Sequence, residues 1–231
     1  MSARSTLLRL VIFDCDGVII DSEAIAGRIT AASLTELGWP MTAEEAQHRF
    51  VGMGLADIMP LVAAAIGRPV PTDWRHDLKR RYVTALAEEV TTVPGAVEAM
   101  QALSARGMAW RVASNSSHEE MAVKFGRVGL SDFVAGRLHS YTDVARGKPE
   151  PDLFLATAAA QGVQPAECVV IEDSVVGACA AAAAGMDCLA YVPYGDGAAL
   201  RQTGAVPFAS MFDLPRLVDV AAPLQVARSF P

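Results

Sequence analysis

The sequence predicts an α/β fold: a Rossmann-like parallel sheet core carrying an inserted α-helical bundle. Three observations lead there. Short apolar runs alternate with stretches of helical length, as in sheets covered on both faces. Polar residues follow the apolar runs directly. One long segment, about 22–89, has helical periodicity and no strand pattern. The chain has 231 residues, 52% of them hydrophobic and 19% charged, enough to bury a sizeable core and too apolar for disorder. Expected boundaries are a core of 1–20 and 91–231 and a helical cap of 21–90.

Residues 8–13 form the first expected strand and run straight into Asp14. The next expected strands are 109–113 before Ser114, 168–171 before Glu172, and 188–192 before Pro193. Between them lie helical patterns at 95–106, 119–128, 151–161 and 174–184. The alanine-rich stretch from 175 reads as a buried helix, too short to span a bilayer. A last strand and helix are expected after Gly204.

Inside the insert, residues 22–37 repeat apolar side chains at helical spacing and stop at Gly38. Thr42 followed by Glu45 is a capping-box pattern for a helix over 42–50. Further helices are expected over 56–66 and 72–89, the latter with Thr72 or Asp73 as cap. Residues 90–94 then return the chain to the core.

Composition narrows the partners. Lys and Arg total 19 against 26 Asp and Glu, a net charge of −7, which argues against a nucleic-acid partner. Mean hydropathy is +0.29, yet no charge-free run is long enough to cross a membrane. A secretory signal is not expected, because the first apolar stretch meets Asp14 and Asp16. Cys15, Cys168, Cys179 and Cys188 form no C-x-x-C pair and read as reduced core residues of a cytoplasmic protein. A monomer or weak homodimer is expected.

In open parallel sheets, ligands bind beyond the carboxyl ends of the strands. That rule sends Asp14, Ser114 and the Glu172-Asp173 pair to one crevice. Each alone is an ordinary turn former or cap; the set, with Lys148, points to a site. Asp14-Cys15-Asp16-Gly17 presents two carboxylates around a glycine that permits a sharp turn. Asp14, Asp16, Glu172 and Asp173 concentrate negative charge that a hard dication would relieve, and oxygen donors suit Mg²⁺. Lys148 can offset those carboxylates and bind an anion. Residues 114–117 join a strand to a helix, where hydroxyls and free N–H groups make a phosphate site.

Asp14-x-Asp16-Gly17, Ser114, Lys148-Pro149 and Glu172-Asp173-Ser174 resemble, in order and spacing, the four motifs of the haloacid dehalogenase superfamily. The resemblance covers roughly residues 10–191. The text around Asp14 and Lys148 is similar to the β-phosphoglucomutase-like and phosphoglycolate-phosphatase-like branch, which carries a helical cap after the first motif. The resemblance implies Asp14 as nucleophile, Asp16 as general acid and base, and Ser114 and Lys148 as holders of the transferring phosphoryl group. It also implies Mg²⁺ on Asp14, the Asp16 carbonyl, Asp173 and Glu172.

Within the superfamily, Asp16 favours phosphate esters over dehalogenation. The lack of lysine in 22–50 disfavours a phosphonoacetaldehyde hydrolase. The alternative is a β-phosphoglucomutase-like sugar phosphomutase. Such mutases resemble one another in a cap histidine and a loop arginine; residues 21–28 lack the histidine, and Leu55 follows Gly52-Met53-Gly54 where the arginine would fall. Signalling receiver domains lack the Asp-x-Asp pair and the cap. The expected activity is therefore hydrolysis of a small phosphorylated metabolite, a sugar phosphate or sugar-acid phosphate. Candidate substrate-binding residues are Gly17, Asn115 and Arg49, the last in a specificity loop over 48–53. The basic run Lys79-Arg80-Arg81 reads as a solvated helix face.

Overall fold

The computed structural model describes residues 7–50, 53 and 55–221. Among them, six parallel strands form one sheet: β1 (Leu10–Phe13), β4 (Ala109–Ser114), β5 (Leu138–Ser140), β6 (Cys168–Glu172), β7 (Asp187–Tyr191) and β8 (Val206–Phe208), in the order β5-β4-β1-β6-β7-β8. β1 is central, with Phe13 opposite both Val112 and Ile171.

The apolar runs follow from burial on both faces. In β1, Val11 and Phe13 join Trp110, Met100 and Phe125 on one side. Leu10 and Ile12 join Phe154, Val170 and a set of alanines on the other. Period two therefore splits one continuous apolar run between two cores. The first face is covered by α5 (Ala96–Ala105), α6 (His118–Arg127) and α11 (Leu214–Ala221). The second is covered by α8 (Asp152–Gln161) and α9 (Val175–Ala183), whose buried Gly177, Ala178, Ala180 and Ala181 let it approach the sheet closely.

Two short strands, β2 (Ile20–Asp21) and β3 (Thr91–Thr92), pair antiparallel and tie together the two connections to the insert. The expected return linker thus contains a strand. Between β2 and β3 lie α1 (Glu23–Glu36), α2 (Ala43–Phe50), α3 (Leu55–Ile66) and α4 (Trp74–Glu89). They enclose their own apolar cluster, with Leu34, Phe50, Val62, Trp74 and Leu78 at its centre. The indole N–H of Trp74 donates to Ser33 Oγ at 2.7 Å within it.

The capping box at Thr42 forms as the spacing predicts: the Glu45 N–H donates to Thr42 Oγ1 at 3.1 Å, and the Thr42 N–H to Glu45 Oε2 at 2.7 Å. Asp73 precedes α4, but its backbone is helical and its side chain caps nothing. The chain after Gly204 supplies β8 and α11 as expected. No helix among the described residues is long and apolar enough to cross a membrane. Three of the four free cysteines, Cys15, Cys168 and Cys188, are buried as expected, but Cys179 is exposed, since it lies on the outer face of α9, away from the buried alanines.

Phe154 is fully buried at the start of α8. We expect Phe154→Ala to cost about 3–5 kcal/mol in urea denaturation, the usual penalty for emptying an aromatic site. A loss under about 1 kcal/mol would contradict the packing of α8 described here.

Candidate active site

Asp14 directly follows β1, Ser114 ends β4, and Glu172 ends β6. Because β4 and β6 flank β1, these three side chains emerge side by side at the carboxyl edge of the sheet. The Asp14 N–H donates to the Ile171 carbonyl at 2.9 Å, which holds the loop after β1 against β6.

Lys148 reaches into this edge from the loop before α8. Its ammonium donates to Asp14 Oδ1 and to Glu172 Oε1, each at 2.6 Å, with all three side chains nearly closed to solvent. The Phe154 ring lies beneath it, 4.8 Å from Nζ to the centroid. Asn115 fixes the Lys148 backbone from both ends: its amide donates to the Lys148 carbonyl at 3.0 Å, and its Oδ1 accepts from the Lys148 N–H at 2.9 Å. Gly147 has to be small there, since a Cβ would lie 2.6 Å from Asn115 Oδ1. The Asn115 amide is thus occupied in positioning Lys148, although the residue also lines the cleft above.

The second Glu172 oxygen accepts from the N–H groups of Asp173 and Ser174 and from Ser174 Oγ at 2.9 Å. Carboxylate oxygens of Asp14, Glu172 and Asp173 lie within 4.8 Å of one another. Burial pushes Asp14 up to about 7 against the pull of Lys148, with Glu172 and Asp16 adding to the rise. Burial, with Glu172 and Asp14 nearby, also raises Asp173 well above the usual carboxylate range. Three crowded carboxylates facing one ammonium make a donor set that a hard dication would relieve. Gly17 leaves room for the Asp173 carboxylate in this set: its φ is +73°, and a Cβ would sit 1.9 Å from Asp173 Oδ2. The residues present therefore fit a divalent ion held by oxygens.

Asp16 turns away from this cluster. Lys124 Nζ donates to its two oxygens at 2.7 and 2.6 Å, Ser22 Oγ to Oδ1 at 2.6 Å, and Ser116 Oγ to Oδ2 at 2.9 Å. Burial raises Asp16, but Lys124 and the hydroxyl donors outweigh it and hold the carboxyl below its ordinary value. Lys124 is itself buried, and despite that its ammonium is held above the ordinary range by Asp16.

Lys124 is not among the residues expected from the motifs, although its position in the sequence carries a signal. Met121 and Phe125 mark the buried face of α6, and Lys124 falls on that same face where an apolar residue belongs. Ser22 carried no such signal, being a polar residue beside a helix start.

The phosphate-binding expectation for 114–117 is met only in part. The Ser116 N–H donates to Ser114 Oγ at 3.0 Å, and the Ser117 N–H to Glu120 Oε2 at 2.7 Å in a capping box. Two of the expected free N–H groups are consumed locally. The buried Ser114 hydroxyl keeps its own proton for a ligand.

Above the site, a cleft of about 540 Å³ runs between the insert and the core. Asp16, Ser116 and Lys124 line its core side, and Phe50, Leu55, Arg75, Lys79 and Tyr82 its insert side. Burial pushes Glu23, also in this cleft, up to about 7. Arg49 does not line it. Its guanidinium lies over Trp39, 4.9 Å from the ring centroid, in a separate hollow with Glu44 and Glu45. Of the expected specificity loop, Phe50 and Met53 face the cleft, while Val51, Gly52 and the His48 side chain lie outside the described residues, as does Gly54. The basic run also divides. Arg80 pairs with Asp77, Arg81 holds Glu36 at 2.7 Å, and Lys79 turns into the cleft to meet Glu120 at 3.2 Å.

A family model described as haloacid dehalogenase-like hydrolase matches residues 8–185. In sequence, the chain is 30% identical over 181 residues to the 6-phosphogluconate phosphatase of Escherichia coli (strain K12), covering 78% of this chain and 80% of that protein. In structure, it superposes with a TM-score of 0.84 and 34% identity on a haloacid dehalogenase-like protein of unknown function from Agrobacterium tumefaciens, covering 93% of this chain and 99% of that one. A haloacid dehalogenase family hydrolase from Deinococcus radiodurans, solved with bound phosphate and sodium, matches with a TM-score of 0.80 and 31% identity over 94% of this chain and 98% of that one.

Replacing Lys148 by Met leaves Asp14 and Glu172 buried without their cation, and breaking such a pair costs about 3–5 kcal/mol. Lys148 holds Asp14 down, so without it the Asp14 carboxyl titrates higher still. A carboxyl raised on folding loses stability as pH climbs through its folded value and regains it when protonated. The Lys148→Met penalty, read by urea denaturation, is therefore expected to be larger at pH 8 than at pH 5. Equal penalties would contradict the charge balance.

Proposed function

The chain belongs to the haloacid dehalogenase-like hydrolases, and on that premise we propose that it is a Mg²⁺-dependent phosphatase working through an aspartyl-phosphate. Its substrates are small phosphomonoesters of the sugar-phosphate or sugar-acid-phosphate type. The observation that carries the reading is the convergence of Asp14, Lys148, Glu172 and Asp173 at the ends of β1 and β6, beneath a cleft of metabolite size. The 6-phosphogluconate phosphatase relative supports the substrate class. On this reading residues 21–90 form a cap over a core of 1–20 and 91–231, and the enzyme works in the cytoplasm.

Asp14 is the nucleophile. Lys148 engages its Oδ1, which leaves Oδ2 to attack phosphorus in line as the ester oxygen departs. The Lys148 ammonium and the Ser114 hydroxyl steady the charged oxygens of the group in flight. Asp14, Glu172, Asp173 and the Asp16 carbonyl would hold Mg²⁺, which when bound supplies charge neutralisation for the phosphoryl oxygens. Asp16 protonates the departing oxygen, then removes a proton from the water that cleaves the acyl phosphate. In the present geometry Asp16 is an ionised partner of Lys124, suited to the second task. Proton donation requires it first to leave Lys124 and take up a proton from solvent water, which it then passes to the departing oxygen.

Leu55 lines the cleft where the resemblance would put a mutase arginine, and this apolar wall gives no grip for a second phosphate. Hydrolysis is the better reading.

We expect Asp14→Asn to lower phosphate release by about 10³-fold or more with the fold intact by circular dichroism. A chelator is expected to stop wild-type release and added Mg²⁺ to restore it. Normal turnover in Asp14→Asn, or in excess chelator, would overturn the mechanism.

A further inference from the structure

Three cations line the cleft: Lys124, Lys79 and Arg75. Lys124 is committed to Asp16 and Lys79 to Glu120. Among the described residues Arg75 has no such partner. It stands in the first turn of α4, where the helix dipole disfavours a cation. Arg75 is exposed, and the insert wall of the same cleft also carries Phe50, Met53, Leu55, Ile58 and Val83. Apolar walls strengthen the field of a charge that faces them. The cleft's polar groups are otherwise mostly engaged: Tyr82 is bonded to Thr30, and Asn115 to Lys148. Glu23 sits by the floor, with Asp16, Lys124 and Asp21 as its charged neighbours.

We propose that Arg75 binds a carboxylate at the non-reacting end of the substrate, so that the enzyme selects phosphorylated acids over phosphorylated sugars that carry no second anionic group. This rests on the phosphatase reading above and assigns the specificity of the same cleft. A planar guanidinium matches a carboxylate through two parallel N–H bonds. A second phosphoryl dianion would call for two free cations, and among the described residues the cleft offers one. Arg75 replaces Arg49 as the substrate-recognising arginine, since Arg49 faces Trp39 outside the cleft.

The test compares kcat/KM for 6-phosphogluconate, glucose 6-phosphate and fructose 1,6-bisphosphate in the wild type, Arg75→Gln and Arg75→Lys, with p-nitrophenyl phosphate as a generic ester. Arg80→Gln, on the outer side of α4, is the control. The wild type is expected to favour the acid over glucose 6-phosphate by about tenfold or more. Arg75→Gln is expected to erase that preference mainly through KM for the acid, Arg75→Lys to keep part of it, and Arg80→Gln to leave it intact. A wild type without the preference, an Arg75→Gln variant that keeps it, or a bisphosphate that outcompetes the acid would each overturn the assignment while p-nitrophenyl phosphate is still hydrolysed. Failure to release phosphate from any ester, p-nitrophenyl phosphate included, would overturn the phosphatase reading and this inference with it.

Discussion

A buried ammonium between two buried carboxylates organises this molecule. Lys148 touches Asp14 and Glu172 at 2.6 Å each, and removing any one of the three would leave an uncompensated buried group at a large desolvation cost. The strands must end where they do for the contact to form, so the charge balance and the sheet register depend on each other. Asn115 holds the Lys148 backbone from β4's edge, and Ser174 holds Glu172 from the start of α9. The result is a fixed acidic floor with more negative charge than one lysine offsets. That surplus is what a divalent ion would offset, and the ion's charge would in turn offset that of a phosphoryl group.

The second ion pair, Lys124 with Asp16, gives the site two compartments. Asp14, Glu172 and Asp173 face the floor, whereas Asp16, two residues from Asp14, is drawn toward α6 and the insert. Ser22, at the beginning of the insert, donates to the same carboxylate. The residue expected to exchange protons with substrate and water is therefore bonded to both the core and the insert. A change in how these two parts meet would act on Asp16 before it acted on Asp14.

Much of the fold was legible because its signals are local. Fully buried strands such as β1 read as unbroken apolar runs, and the Thr42–Glu45 capping box is written in two residues. β5 escaped notice because Leu138–Ser140 is three residues at the sheet's edge, and β2 and β3 because two-residue strands carry no periodicity. The floor of the site could be read from residue type and strand ends together. The cleft could not. Which face of α4 turns inward depends on packing against α1 and α6, so Arg75 and Lys79 were indistinguishable from Arg80 and Arg81 in the text. Arg49 looked suitable by position, but Trp39 provides it a closer surface. Lys124 shows the opposite case, a charged residue whose place on an apolar stripe could have been taken as a sign of a buried partner.

Titration calorimetry with Mg²⁺ tests the central claim most directly, because it asks whether the acidic floor takes up a cation while Lys148 remains in place. The account predicts one ion bound per chain by the wild type, and loss of that binding in Asp173→Asn. No binding by the wild type, or unchanged binding by Asp173→Asn, would contradict it.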